Sequence, residues 1–310
     1  MTPPTPRIVS LLASGTEIVD ALGLDGYLVG ISHECDHPPH LLDRPRVSRP
    51  RFDPRGLSSG EIDAAVRRAM TEYGSVYEID EPVLEDLDPD IIITQAVCEV
   101  CAVPTGGVRE VLGARGIEAE IVSLDAHTIE DILASVAQVA RAAGNAETSR
   151  SATVALRGRL DAVRDIVRGA ERPRVLGIEW LDPPFAPGHW VPEMIDLAGG
   201  RNLIGEAGRP SREVRWEELE GLDPDALLIM PCGYGLEGAR ADADAHAERL
   251  RRVAPCAIAE GRAWVVDASS YFNRSGPRFV TGVEILGGLL HPDLLPAPAS
   301  EHASVWATRR

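Results

Sequence analysis

Short apolar runs recur along the chain, each followed by a turn cluster and then by apolar positions at helical spacing. This alternation predicts an α/β protein built on parallel sheets. Strands are expected at residues 7–12, 27–31, 91–94 and 119–122, with helices at 14–22 (closed by Gly23), 59–73, 107–112 and 129–143. In the second of these helices, Ile62, Ala65, Val66 and Met70 supply the periodic face. From Gly144 to Arg172 there is no proline, and Val154, Leu156, Leu160, Val163, Ile166 and Val167 form a partial stripe, which predicts one long helix. The alternation restarts after Pro173: strands at 175–180, 226–230 and 263–266, helices at 191–198, 243–253 and 278–290.

One pattern occurs twice. Leu84-Glu85-Asp86-Leu87-Asp88-Pro89-Asp90 leads into Ile91-Ile92-Ile93, and Leu219-Glu220-Gly221-Leu222-Asp223-Pro224-Asp225 leads into Ala226-Leu227-Leu228-Ile229-Met230. Each copy reads as a helix end, a proline-bent turn and a buried strand. The duplication predicts two Rossmann-like lobes joined by one long α-helix: an N-terminal lobe at 1–143, the connecting helix at 144–172, a C-terminal lobe at 173–292, and a poorly ordered tail at 293–310 rich in proline. A helix in the connecting role favours small rocking over wide closure, because bending it would break internal hydrogen bonds.

Composition removes several functions. The net charge of −17 and the lack of a basic stripe argue against a nucleic-acid partner. All 31 basic residues are arginine, so neither a Schiff-base lysine nor a phosphate-loop lysine is available. No apolar run approaches the roughly 20 residues of a membrane span, so no membrane insertion is expected. The start of the chain carries no cationic and apolar leader pattern, from which a cytoplasmic location is expected. Five cysteines in a reducing compartment would be free thiols or metal ligands. There is no Gly-x-Ser-x-Gly elbow and no dinucleotide fingerprint after the first strand, and no carboxylate pair is placed by spacing for acid–base work, so the expectation is a protein that is not an enzyme.

The ordered series Arg7-Ile8-Val9-Ser10-Leu11, Ser14-Gly15-Thr16-Glu17, Gly30-Ile31-Ser32 with Asp36 and Pro38-Pro39, both Asp-Pro turns, and Leu197-Ala198-Gly199-Gly200-Arg201-Asn202 resembles the cobalamin-binding proteins of ABC importers over residues 7–292. The resemblance implies the class III substrate-binding protein fold and a small-molecule ligand, cobalamin, between the lobes. It also implies one docking glutamate per lobe for an ABC permease: Glu217 matches the second position, whereas the first holds Pro82 with Glu81 beside it.

Ligands of parallel α/β sheets bind beyond the carboxyl ends of the strands. There the second lobe carries Trp180, Phe185, His189 and Trp190 in one loop, and Tyr271, Phe272, Asn273 and Arg274 in another. Flat apolar faces with a few donors suit a planar macrocycle rimmed with amides, a corrinoid or related tetrapyrrole, and a neutral His189 imidazole could reach its cobalt or iron; packing of the rings in core or loop, and a hydrogen-bonding role for His189, are the competing readings. Ser14, Gly15, Thr16 and Glu34, at the ends of the first two strands, are the first lobe's candidates. The alternative is a metalloprotein with a redox or sensing role, in which Cys35, Cys98, Cys101 and Cys232 hold zinc or an iron–sulfur cluster. Free buried thiols, or a reversible Cys98–Cys101 disulfide, compete with that reading.

Overall fold

The computed structural model describes residues 5–96 and 103–306. The chain divides into two compact units: residues 1–56, 64–126 and 130–155 form the first, and residues 57–63, 127–129 and 156–310 the second. The boundary at 155/156 falls inside one helix, Ala146–Ile166.

In the first unit, strands β1 (Ile8–Ser10), β2 (Leu28–Ile31), β5 (Ile91–Thr94) and β6 (Glu120–Ser123) form a parallel sheet in the order β2-β1-β5-β6, while β3 (Ser48–Pro50) and β4 (Tyr77–Ile79) pair antiparallel. Helix α1 (Ala13–Ala21) follows β1, α2 (Ser59–Tyr73) and α3 (Glu81–Leu87) precede β5, and α4 (Thr105–Arg115) and α5 (Ile129–Ala142) flank β6. Val9, Leu11, Leu84, Ile92, Val108 and Leu112 close a core on one sheet face. The long helix, α6 (Ala146–Ile166), buries Leu156, Leu160 and Val163, with Val167 just beyond it, and leaves Val154 and Ile166 exposed. At 100° per residue Val154 points about 200° away from Leu156, so it cannot share that stripe.

The second unit repeats the first. Strands β7 (Arg174–Ile178), β10 (Arg201–Asn202), β12 (Ala226–Ile229) and β13 (Ala263–Val266) are parallel in the order β10-β7-β12-β13, matching β2-β1-β5-β6 position for position. Helices α7 (Val191–Leu197), α8 (Trp216–Leu219), α9 (Leu236–Ala245), α10 (Ala247–Val253), α11 (Pro255–Ala259), α12 (Ala268–Tyr271) and α13 (Phe279–Leu290) cover it, and β8 (Trp180–Leu181), β9 (Pro184–Ala186) and β11 (Arg212–Glu213) make a small antiparallel sheet. The helix expected at 243–253 is two helices, broken at His246.

The expected tail is a correction. Residues 303–305 form β14 (Ala303–Val305), antiparallel to β13, and Trp306 is fully buried in the second unit's core. Proline-rich composition suggested disorder at 293–302, but an edge strand needs only its few residues to pair.

The duplicated sequence pattern is a duplicated clamp. Asp88 and Asp223 take left-handed backbone conformations (φ 39° and 47°), which aspartate tolerates better than most residues. The next aspartate turns back onto the first strand: Asp90 Oδ2 accepts from the Arg7 backbone N–H at 2.7 Å, and Asp225 Oδ2 from that of Arg174 at 2.6 Å. Reciprocally, the Asp90 and Asp225 N–H groups donate to the carbonyls of Arg7 (2.9 Å) and Arg174 (2.8 Å), and both arginine side chains donate to the carbonyls of Leu87 and Leu222. Asp90→Ala and Asp225→Ala should each lose about 1 kcal/mol or more of stability through the charge-assisted bond, read as a lower urea midpoint at unchanged slope. Two variants indistinguishable from the parent would refute the clamp.

Candidate functional site

The aromatic residues of the second unit divide according to strand alternation. Trp180 and Phe185 are direct cross-strand partners in the β8–β9 hairpin, so their rings share one face, and both are half-buried. Leu181 and Pro184, the next pair, point to the core and are buried. The hairpin turns through Asp182 and a cis Pro183. The Trp180 indole donates to the Asp182 carbonyl at 3.0 Å, and its ring lies 5.5 Å from that of Tyr234, tilted by 32°. Tyr234 was not expected, although it follows β12 at the carboxyl end where ligand residues were sought.

His189 sits in the left-handed region (φ 50°) and is pinned there by its own backbone: its N–H donates to Arg209 O at 2.6 Å and its carbonyl accepts from Gly208 at 2.9 Å. Only glycine fits on either side of this crossing, since a Cβ on Gly188 would lie 2.2 Å from Ser211 N and one on Gly205 1.9 Å from Pro187 O. The imidazole is half-buried, its Nδ1 is shielded from solvent with no hydrogen-bond partner, and the His127 ring lies 5.5 Å away. Burial first, and the His127 charge second, push its pKa below the ordinary value, so the ring is neutral at pH 7. His127, just after β6, was also missed, and the same rule about strand ends would have pointed to it.

Two predicted ligand contacts are corrected. Phe272 has no exposed surface, and Trp190 is 8% exposed with its indole donating to Phe272 O at 2.8 Å. These rings pack the core and bind each other's segment; their apolar area outweighs their position after a strand. Asn273 and Arg274 are half-buried, and Asn273 Oδ1 is shielded with no partner. In the first unit Ser14, Gly15 and Thr16 are all buried, because α1 begins at Ala13 and presses them onto the sheet: a Cβ on Gly15 would meet Ser10 Oγ at 2.6 Å. They pack; they offer no surface to a ligand. Glu34 is exposed, 3.2 Å from His33 Nε2.

The cysteines do not assemble among the described residues. Cys35 is 3% exposed, with its sulfur 3.1 Å from Thr16 Oγ1, and Cys232 is an exposed free thiol in the other unit. Cys98 and Cys101 lie outside the described residues. Neither Cys35 nor Cys232 belongs to a group of three converging ligand side chains among the described residues. A buried thiol engaged by a threonine hydroxyl behaves as a small packing group, so the expected set of metal ligands is not favoured.

Asp242, whose charge acts on Tyr234, heads a polar network. Asp242, 8% exposed, accepts from Ser59 Oγ at 2.8 Å, and His246 Nδ1 stands 2.9 Å from its carbonyl and 3.4 Å from Oδ1. The Asp242 hydrogen bond, then its charge and that of Asp182, raise the His246 pKa against the effect of burial. A raised histidine pKa contributes stability that is complete below the unfolded value of about 6.5 and is lost as pH rises through the folded value. His246 therefore contributes a fall in melting temperature from pH 6 toward pH 8, opposed by His189, whose lowered pKa acts the other way; His246→Gln should remove that contribution, and a pH profile unchanged by the substitution would refute the assignment.

Comparison with known proteins gives the family of the chain. The family model described as "Periplasmic binding protein" matches residues 8–253. The vitamin B12-binding protein of Vibrio cholerae serotype O1 is 25% identical over 285 residues, covering 91% of this chain and 87% of that protein. Among solved structures, a periplasmic heme binding protein from Pseudomonas aeruginosa superposes with a TM-score of 0.71 at 22% identity, covering 98% of this chain and 99% of that one. The periplasmic vitamin B12 binding protein of Vibrio cholerae gives 0.65 at 23%, covering 93% and 97%. Such proteins bind and do not catalyse, and among the described residues no helix is long and apolar enough to cross a membrane. With two matched α/β units and a family match across most of its length, this chain belongs to the periplasmic binding protein family.

Proposed function

We propose that the chain binds a corrinoid or a related metal tetrapyrrole without chemically changing it, on the Trp180–Phe185 face of the second unit, where His189 would supply a nitrogen ligand to its metal. The observation that carries this reading is the His189 imidazole: a neutral ring with a partnerless Nδ1, in the segment that follows the half-exposed aromatic hairpin. A ring nitrogen left without a hydrogen bond is costly, and neutral imidazole is a common metal ligand through either of its nitrogens. Trp180 and Phe185 supply flat apolar faces for the macrocycle, and Asn273 and Arg274 supply polar groups for its rim. The B12-binding relative supports the ligand class.

The test is direct. Cobalamin or hemin added to the purified protein should shift its visible bands and titrate at micromolar affinity or tighter, in the range of about −8 kcal/mol. Unchanged spectra and flat calorimetry with both compounds would reject the reading.

Hand-over to a permease is separable from binding. Glu217 is exposed on α8, but at the first-unit position Pro82 has no charge, and neighbouring Glu81 accepts from Arg115 Nε at 2.8 Å. For compartment, we propose the cytoplasm: Cys232 and Cys256 are exposed and unpaired, a state that a reducing environment preserves. Recovery of the native protein in a periplasmic fraction would overturn this.

A further inference from the structure

We infer that Asp20, Asp25 and His40 form a binding site for a divalent transition-metal cation on the first unit. The three come from separate segments: the last turn of α1, the single turn Asp25–Tyr27, and the single turn Pro39–Leu41. One ligand atom from each lies within 4.8 Å of the other two, and no other trio of His, Cys, Asp or Glu converges in this way among the described residues.

The spacing of the donor atoms accommodates a shared cation as well as an ion pair. His40 Nε2 is 3.3 Å from Asp20 Oδ1 and 3.1 Å from Asp25 Oδ2. A charge-assisted N–H···O bond closes to about 2.7–2.9 Å. A tetrahedral ion with bonds of about 2.0–2.1 Å to nitrogen and oxygen separates its ligands by about 3.3–3.4 Å. The 3.3 Å spacing matches the second value, and the 3.1 Å spacing, a hydrogen bond in the absence of an ion, falls midway between the two.

A further observation points the same way. Asp25 Oδ1 is shielded from solvent and has no hydrogen-bond partner, so this carboxylate is only half satisfied by the protein. Two carboxylates facing one imidazole carry more negative charge than His40 can neutralise, and none of it when His40 is neutral. A bound dication would offset both. Two carboxylates with one imidazole suit Zn²⁺ and its neighbours better than Ca²⁺, whose sites are built of oxygen alone.

The experiment uses the full chain stripped with a chelator and titrated with Zn²⁺ against a chromogenic competitor at pH 7.5. His40→Ala and the isosteric Asp25→Asn, both at partly exposed positions and checked for folding by circular dichroism, are compared with the parent. The expected result is one equivalent that each variant binds at least tenfold more weakly, with a Zn²⁺-induced rise in melting temperature that is lost in both. A Cys98→Ser/Cys101→Ser double variant should retain that equivalent, and its Co²⁺ form should lack thiolate charge-transfer bands at this site. Absence of Zn²⁺ binding by the parent, or equal binding by parent and both variants, would overturn the assignment.

Discussion

Trp306→Ala should destabilise the protein by about 3–5 kcal/mol, the usual cost of emptying a buried aromatic site. The side chain has no exposed surface and belongs to the same cluster as Trp216, Leu227 and Val265. Its indole donates to Asp244 Oδ1 at 2.8 Å, and its backbone N–H donates to Ala263 O at 2.7 Å, so the residue also anchors the edge strand β14 to β13. Urea unfolding followed by circular dichroism would measure the loss. A change below about 1 kcal/mol would mean that the cavity is absorbed or that the strand does not pack as described. Asp244→Ala, which removes one hydrogen bond and leaves the ring, should cost about 1 kcal/mol.

His189→Ala should weaken tetrapyrrole binding by about ten- to a hundredfold, or roughly 1.4–2.8 kcal/mol, and should return the visible spectrum of the bound pigment toward that of the free compound. Stability should move little, because the lost ring leaves behind no unsatisfied partner for its Nδ1. That combination separates a ligand role from a packing role: a packing residue would lose stability and leave the pigment spectrum alone. Acidification should act in the same direction as the substitution. The His189 pKa is already depressed, so the ring stays neutral through pH 7, and only a clear fall below that protonates it and removes the donor. Affinity that stays flat from pH 7.5 down to pH 5, together with a normal spectrum in His189→Ala, would assign the metal contact to another group.

Much of the fold could be read from local pattern. The strand at 263–266 and the helix at 59–73 match their expected limits, and the Asp-Pro-Asp repeat marks equivalent places in two sheets of equivalent order. These features are local: period, turn residues and apolar runs act within a few residues of one another. The candidate site was only partly visible. Trp180, Phe185 and His189 stand where a strand-end rule put them, but the same rule selected Trp190 and Phe272, which are core, and passed over Tyr234 and His127. A strand end directs the chain toward the binding edge; it does not decide which way each ring then turns.

By itself, the sequence determined two α/β units with matching clamps, because alternation of short apolar runs and a repeated aspartate turn leave few other ways to satisfy the backbone. Tertiary structure alone decided which aromatic rings are half-buried and which are swallowed, that the last residues pair as a strand with Trp306 beneath them, and that Asp20, Asp25 and His40 meet. Those outcomes depend on contacts between segments far apart in the chain, where burial of a ring or convergence of charges is settled by the neighbours that folding supplies rather than by the residues on either side.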